Sequence, residues 1–163
     1  MKTLLILRHA KSSWGHSNLD DHDRPLNARG QRDAPRMGQL LQTEGLVPEL
    51  LLSSTAERAR TTAQQVAEGC GYPSDKIVLT ADLYHPLPDD CLAVLRQHGE
   101  PHQRVLLVAH NPGLEELVEQ LTGEAHRLPT AALVQIALPI ETWQDLRPTT
   151  RGTLINLWRP KEL

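Results

Sequence analysis

The chain has 163 residues, 39% of them hydrophobic and 23% charged, with a formal net charge of -3. Such a length predicts one domain and one core over residues 1–163, and the slight acidic balance argues against a nucleic-acid partner, because binding a phosphate backbone asks for a marked basic excess. The two cysteines, Cys70 and Cys91, form no Cys-x-x-Cys and no metal-type Cys/His spacing, so the sequence predicts neither a disulfide scaffold nor a zinc site and fits a reducing cytoplasm.

The first predicted element is the aliphatic run Leu4-Leu5-Ile6-Leu7, which reads as a strand buried on both faces and stops at Arg8-His9. It is too short for a signal segment or a bilayer span, so neither export nor a membrane anchor is expected. From Ala10 to Leu26 the chain is polar and lacks any period, which predicts a long loop. Asp20, Asp21 and Asp23 in that loop lack the glycine turn and distal glutamate of a calcium loop, and are expected to be a solvated acidic cluster. A helix is predicted from the N-cap Asn27, with Met37, Leu40 and Leu41 on one face and Gly45 just past its end.

Leu50 to Ser54 is the next buried-strand candidate, and the run from Thr55 to Ala63 follows as a helix. This would carry Arg58, in its first turn, to the crevice that Arg8 faces. The bland alternative is an exposed arginine paired with Glu57 or Glu68, and that alternative is adopted for Arg60. Lys76 to Thr80 reads as a strand, Tyr84 to Pro88 as loop because of its paired prolines, and Cys91 to His98 as a short helix. Val105 to Ala109 repeats the opening pattern: a buried run that ends on a histidine, His110. Asn111 suits the cap and Pro112 the first position of a helix whose apolar face is Leu114, Leu117, Val118 and Leu121. Ala131–Leu138 and Thr153–Trp158 complete the strands, as antiparallel or edge additions. The alternation predicts an α/β fold, a mostly parallel central sheet with helices on both faces, in which ligands gather at the carboxyl ends of strands.

Leu7-Arg8-His9-Ala10-Lys11-Ser12, then Asp23-Arg24-Pro25-Leu26 with Arg29-Gly30, then Ser53-Ser54 with Glu57-Arg58-Ala59 and Thr61-Thr62-Ala63, then Leu83-Tyr84, and finally Val108-Ala109-His110-Asn111-Pro112 occur in this order along nearly the whole chain. Together they resemble the histidine phosphatase superfamily, which has the phosphoglycerate mutase-like three-layer fold, and within it the SixA-type phosphohistidine phosphatase branch. The resemblance implies that His9 is the nucleophile accepting the phosphoryl group. It implies that Arg8 and Arg58 clamp the phosphoryl oxygens, that His110 stabilises the charged transition state, and that Arg24 borders the site. It also implies a histidine-phosphorylated protein, such as a phosphotransfer domain, as partner. Ala10 replaces the glycine of much of the superfamily, a change shared with this branch. Tyr84 stands where many members have an acidic proton donor, which leaves the general acid open among Glu57, Asp82, Asp89 and Asp90, or absent.

Apart from the resemblance, phosphoryl transfer is mainly positioning and electrostatics. Two arginines and two histidines converging from strand ends would serve it with no metal and no other cofactor. A histidine attacks only when its reacting nitrogen is unprotonated and its other nitrogen gives its proton to an acceptor, often a backbone carbonyl. His16, His22, His85, His98, His102 and His126 are read as ordinary surface or loop residues. Trp14, Trp143 and Trp158 are read as packing residues, with Trp14 near enough to His9 to border a pocket, and Lys11 fits the phosphate site or solvent equally. The competing functions are a metal-independent phosphatase of a small phosphate ester, a phosphosugar mutase, and a non-catalytic phosphate- or phosphoprotein-binding module. A dinucleotide-binding domain is disfavoured, since no Gly-x-Gly-x-x-Gly follows the first strand.

Overall fold

Both faces of the first strand are buried, as its uninterrupted aliphatic run requires: in the computed structural model, which describes all 163 residues, Leu4, Leu5, Ile6 and Leu7 expose no surface. Each such side chain contributes about 2 kcal/mol when taken out of water. Alternation along the strand divides them between two cores. Leu4 and Ile6 join one apolar cluster, and Leu5 and Leu7 the other.

The sheet has six strands in the order β3-β2-β4-β1-β5-β6, with β1 Lys2–Arg8, β2 Leu50–Ser54, β3 Val78–Thr80, β4 Arg104–Ala109, β5 Leu133–Leu138 and β6 Thr153–Trp158. The pairs β1/β4, β2/β4 and β2/β3 are parallel, while β5 is antiparallel to both β1 and β6. Helices α1 Ala28–Thr43 and α2 Glu57–Cys70 supply one core cluster, through Ala34, Met37 and Leu41 and through Ala59, Ala63 and Val66. Helices α3 Pro88–His98 and α4 Gly113–Thr122 supply the other, through Leu92 and Leu95 and through Leu114, Leu117, Val118 and Leu121. The result is the expected three-layer α/β sandwich. No helix is long and apolar enough to cross a membrane.

Helix α1 starts as its sequence predicts: the Asn27 side chain accepts the Gly30 N–H, and Gly45 follows the last turn with φ +69°. Several boundaries differ. Lys76 closes a short 3-10 turn, and only Val78–Thr80 pair as a strand, where they lie on the sheet edge and need little burial. Pro88 opens α3 rather than belonging to the preceding loop, since a proline costs nothing at a first helical position, where its missing N–H has no partner to lose. Asn111 does not cap α4; its amide donates to the Leu128 carbonyl, 2.9 Å away. Strand β5 begins at Leu133 because Ala131, at φ +64°, turns the chain and donates its N–H to the carbonyls of Arg8 and His9.

Candidate active site

Register decides which side chains meet. Arg8 pairs with Ala109 and Ser53 with Val108, so β1 and β2 flank β4 with their carboxyl ends level, and the residues that follow, His9, His110 and Ser54, emerge side by side. The rings of His9 and His110 lie 5.1 Å apart. The chain is held there by the Ala10 N–H, which donates to Thr62 Oγ1 of α2 at 3.0 Å. It is also held by the start of α1, which crosses so closely that a Cβ on Gly30 would come within 2.1 Å of the Lys11 carbonyl oxygen. Glycine is required at that crossing for the space alone.

His9 Nδ1 lies 2.7 Å from the Ala10 carbonyl. A carbonyl can only accept, so Nδ1 carries the proton and Nε2 keeps a free lone pair. Burial above all, with the nearby charges of Arg58, Arg8 and Arg24, pushes the imidazole down to about 3 against the opposing bond to Ala10. The ring is therefore neutral near pH 7. His110 is buried as well, and its Nε2 lies 2.8 Å from Ser54 Oγ, which already accepts the Ala56 N–H. Both groups are satisfied when the serine hydroxyl donates to Nε2, which leaves the proton on Nδ1, a buried atom with no partner in the chain. Burial first, then His9 and Arg58, pushes His110 down to about 2. The neutral ring lines the cleft, and a bound anion would favour charging it.

The arginines are fixed by an acidic hub. Arg58 is 3% exposed; its Nη1 donates to the Asp21 backbone carbonyl at 2.7 Å and its Nη2 to Asp21 Oδ2 at 3.0 Å. Arg24 donates to Asp21 Oδ1 at 3.0 Å and to Ser12 Oγ, and its guanidinium carbon stacks 3.5 Å over the Trp14 ring. Arg8 Nη1 donates to the Leu128 carbonyl at 3.0 Å, while its Nε is buried without a partner. The Tyr84 hydroxyl donates to Asp21 Oδ2 at 2.6 Å, and His85 Nε2 lies 3.3 Å from the same oxygen. The bond from Tyr84, then those from Arg58, hold the Asp21 carboxyl well below the usual carboxylate range, so it stays ionised.

All five residues singled out in the sequence, Arg8, His9, Arg24, Arg58 and His110, line one cleft of about 270 Å³, with Lys11 on its wall. Arg60 pairs with Glu57 on the outside of α2, as expected. Three expectations fail. Asp21 is not a solvated loop acid but the partner of two arginines. His85 is not an ordinary loop histidine but part of the cleft. Trp14 borders the cleft, as its nearness to His9 allowed, but it is not a packing residue, being 75% exposed at the rim beneath Arg24. One signal could have found Asp21: buried arginines need an acidic partner, and the loop beside them holds three candidates. None of the four acids considered as proton donors lines the cleft. Glu57 is taken by Arg60, Asp90 accepts the Leu87 N–H, and Asp82 and Asp89 are exposed.

A neutral nitrogen with a free lone pair, three arginines and a second imidazole around one small cleft can hold a tetrahedral dianion against an attacking imidazole. Comparison with known proteins agrees. Residues 4–83 match the family described as "Histidine phosphatase superfamily (branch 1)". An uncharacterized chloroplastic protein of Arabidopsis thaliana is 33% identical over 82% of this chain, which spans 66% of that protein's length. An uncharacterized protein of Mycobacterium leprae is 32% identical over 82% of this chain and 81% of its own. The crystal structure of the "putative phosphohistidine phosphatase SixA" from Agrobacterium tumefaciens superposes with a TM-score of 0.83 over 98% of both chains, at 28% identity. The chain belongs to the histidine phosphatase superfamily, in its SixA-type branch.

Proposed function

We propose that the protein is a phosphohistidine phosphatase that removes phosphate from a histidine-phosphorylated protein through a covalent phospho-His9 intermediate. The observation that carries this reading is the bond from His9 Nδ1 to the Ala10 carbonyl, which leaves Nε2 unprotonated at the floor of a cationic cleft. In the first half of the reaction Nε2 attacks phosphorus while Arg8, Arg58 and Arg24 hold the equatorial oxygens and His110 donates from Nδ1. In the second half water displaces the phosphoryl group from His9. No metal or cofactor has a part in either half.

A phosphoprotein partner, such as a phosphotransfer domain, fits a cleft whose rim carries the exposed Trp14 and which no long insertion covers. The likeness to a SixA structure supports the same substrate class. The whole of residues 1–163 would form the one phosphatase domain, since both core clusters pack on one sheet. Two free buried thiols, Cys70 and Cys91, fit a cytoplasmic location. The test is turnover, with no metal added, of a phosphohistidine peptide against phosphoserine and phosphotyrosine peptides and small phosphate esters. Highest kcat/KM on the phosphohistidine peptide is expected, and binding without turnover of any of them would favour a non-catalytic phosphoprotein-binding module instead.

A further inference from the structure

When the bond to phosphorus breaks, the leaving atom takes an electron pair and, if it is basic, needs a proton. Few groups around the cleft can give one. His9 and His110 are neutral and already used, arginines keep their protons, Asp21 is an ionised hub, and the Tyr84 hydroxyl is committed to Asp21, with burial and that bond pushing its ionisation up. His85 remains. Its side chain is 52% exposed at the cleft mouth, its ring lies 5.1 Å from that of His110, and Asp21 binds one of its two nitrogens. The second nitrogen is the one available to a substrate.

The chain holds His85 in a conformation that costs energy. Its φ of +49° puts a side-chain-bearing residue in the left-handed region, and such outliers concentrate where a side chain must be aimed. The segment cannot relax easily, because it is pinned on both sides. Leu83 is fully buried, and Pro86 packs so tightly on the start of α4 that a Cβ on Gly113 would come within 2.0 Å of the Pro86 carbonyl oxygen. The charged and titratable groups that face the ring are Asp21 from the long loop, Tyr84 from its own segment, His110 from the end of β4, and Arg58 of α2 through the shared Asp21 carboxylate.

We infer that His85 is the proton donor and acceptor of the phosphoryl transfer proposed above, held in place by Asp21. In the first half the bond from His9 Nε2 to phosphorus forms and the bond to the leaving oxygen or nitrogen breaks. The electron pair goes to that atom, which takes a proton from the His85 imidazolium and departs neutral. In the second half neutral His85 takes a proton from the attacking water as the new P–O bond forms. The P–N bond breaks, its electron pair returns to His9 Nε2, and His85 is again the imidazolium. Because an acid is present, the site can work on basic leaving groups as well as on phosphohistidine.

The experiment measures kcat/KM for wild type and His85→Gln on a series of phosphate monoesters from nitrophenyl to alkyl, together with labelling of His9 by the nitrophenyl ester. Glutamine keeps a donor for Asp21 but cannot transfer a proton. The loss in the variant should grow with leaving-group basicity, from a few-fold on the nitrophenyl ester to about a hundredfold or more on the alkyl ester. An equal loss on every ester would overturn the assignment of His85 while leaving the phosphatase intact. Failure of wild type to label His9 would instead overturn the phosphatase reading, and this inference with it.

Discussion

His9 donates its ring Nδ1–H to the carbonyl of its own neighbour, Ala10, at 2.7 Å, so the tautomer of the ring is set by one residue of backbone rather than by a distant partner. His9→Ala should abolish turnover and leave the fold intact, because it removes the proposed attacking nitrogen at a strand end and no member of either apolar core cluster. Wild type mixed with substrate and quenched should yield an acid-labile, base-stable phospho-enzyme. The same adduct from His9→Ala, with normal turnover, would refute the assignment.

Arg8→Ala, Arg58→Ala and His110→Ala each remove a fixed donor from the cleft, and each should lower kcat/KM by about a hundredfold or more. Arg58→Ala should also loosen the loop, because Asp21 loses two of its bonds. Steady-state kinetics on a phosphohistidine peptide measures the first effect, and proteolysis within residues 10–26 the second. A variant that loses activity only through unfolding would show it in its melting curve.

Acid should destabilise the protein through the two buried imidazoles. Their folded values, about 3 for His9 and about 2 for His110, lie below the ordinary 6.5. Between about pH 6.5 and 3 the unfolded chain binds protons that the folded chain refuses, so stability rises with pH across this window and is lost as pH falls through it. Melting temperatures of wild type, His9→Ala and His110→Gln from pH 7.5 to 4.5 provide the comparison. Both variants should show a shallower slope, and identical slopes would mean that these rings bind protons in the fold as they do in the unfolded chain.

Gly30→Ala places a methyl group 2.1 Å from the Lys11 carbonyl oxygen, where the backbone, not a flexible side chain, must give way. A cost of about 1–3 kcal/mol is expected, with a fall in Tm of roughly 2–4 °C for each kcal/mol. Thermal unfolding measures the cost. Since the displaced segment carries His9, kcat should drop too, and an unchanged Tm would show that α1 can back away from the loop.

Activity should survive chelation. The positive charge of the cleft comes from Arg8, Arg24, Arg58 and Lys11, and no group of three or more His, Cys, Asp or Glu side chains is arranged to hold a metal. Assay after EDTA treatment and desalting is the measurement. Full loss in EDTA with recovery on adding Mg²⁺ would mean that these side chains are not the catalytic cations.

What the sequence revealed and what it hid have a common physical cause. Arg8, His9 and His110 were legible because each ends a buried aliphatic run, and a run buried on both faces can only be an inner strand whose end opens to ligands. Arg58 was legible because it falls in the first turn after such a strand. Asp21 and His85 lie in loops, where no period of side chains records the path of the chain. Their places depend on distant contacts: the Ser12–Leu26 bridge that folds the long loop back, and the seat of Pro86 on Gly113. Trp14 was misjudged for the same reason, since a tryptophan in a loop reads as core until the chain around it is known to turn outward.

The order of strands makes β4 the keystone of the cleft. β1 and β2, which carry His9 and Arg58 to it, never touch one another; each leans on β4 from its own side. The residues concerned are brought together from position 8 to position 110, so the reactive centre does not exist in any half of the chain. During refolding, helix signals from α1 and α2 can return before any catalytic competence does. Enzymatic activity should therefore appear only when β4 slots between its two neighbours, which makes it a direct clock for the pairing of β4 with β1 and β2.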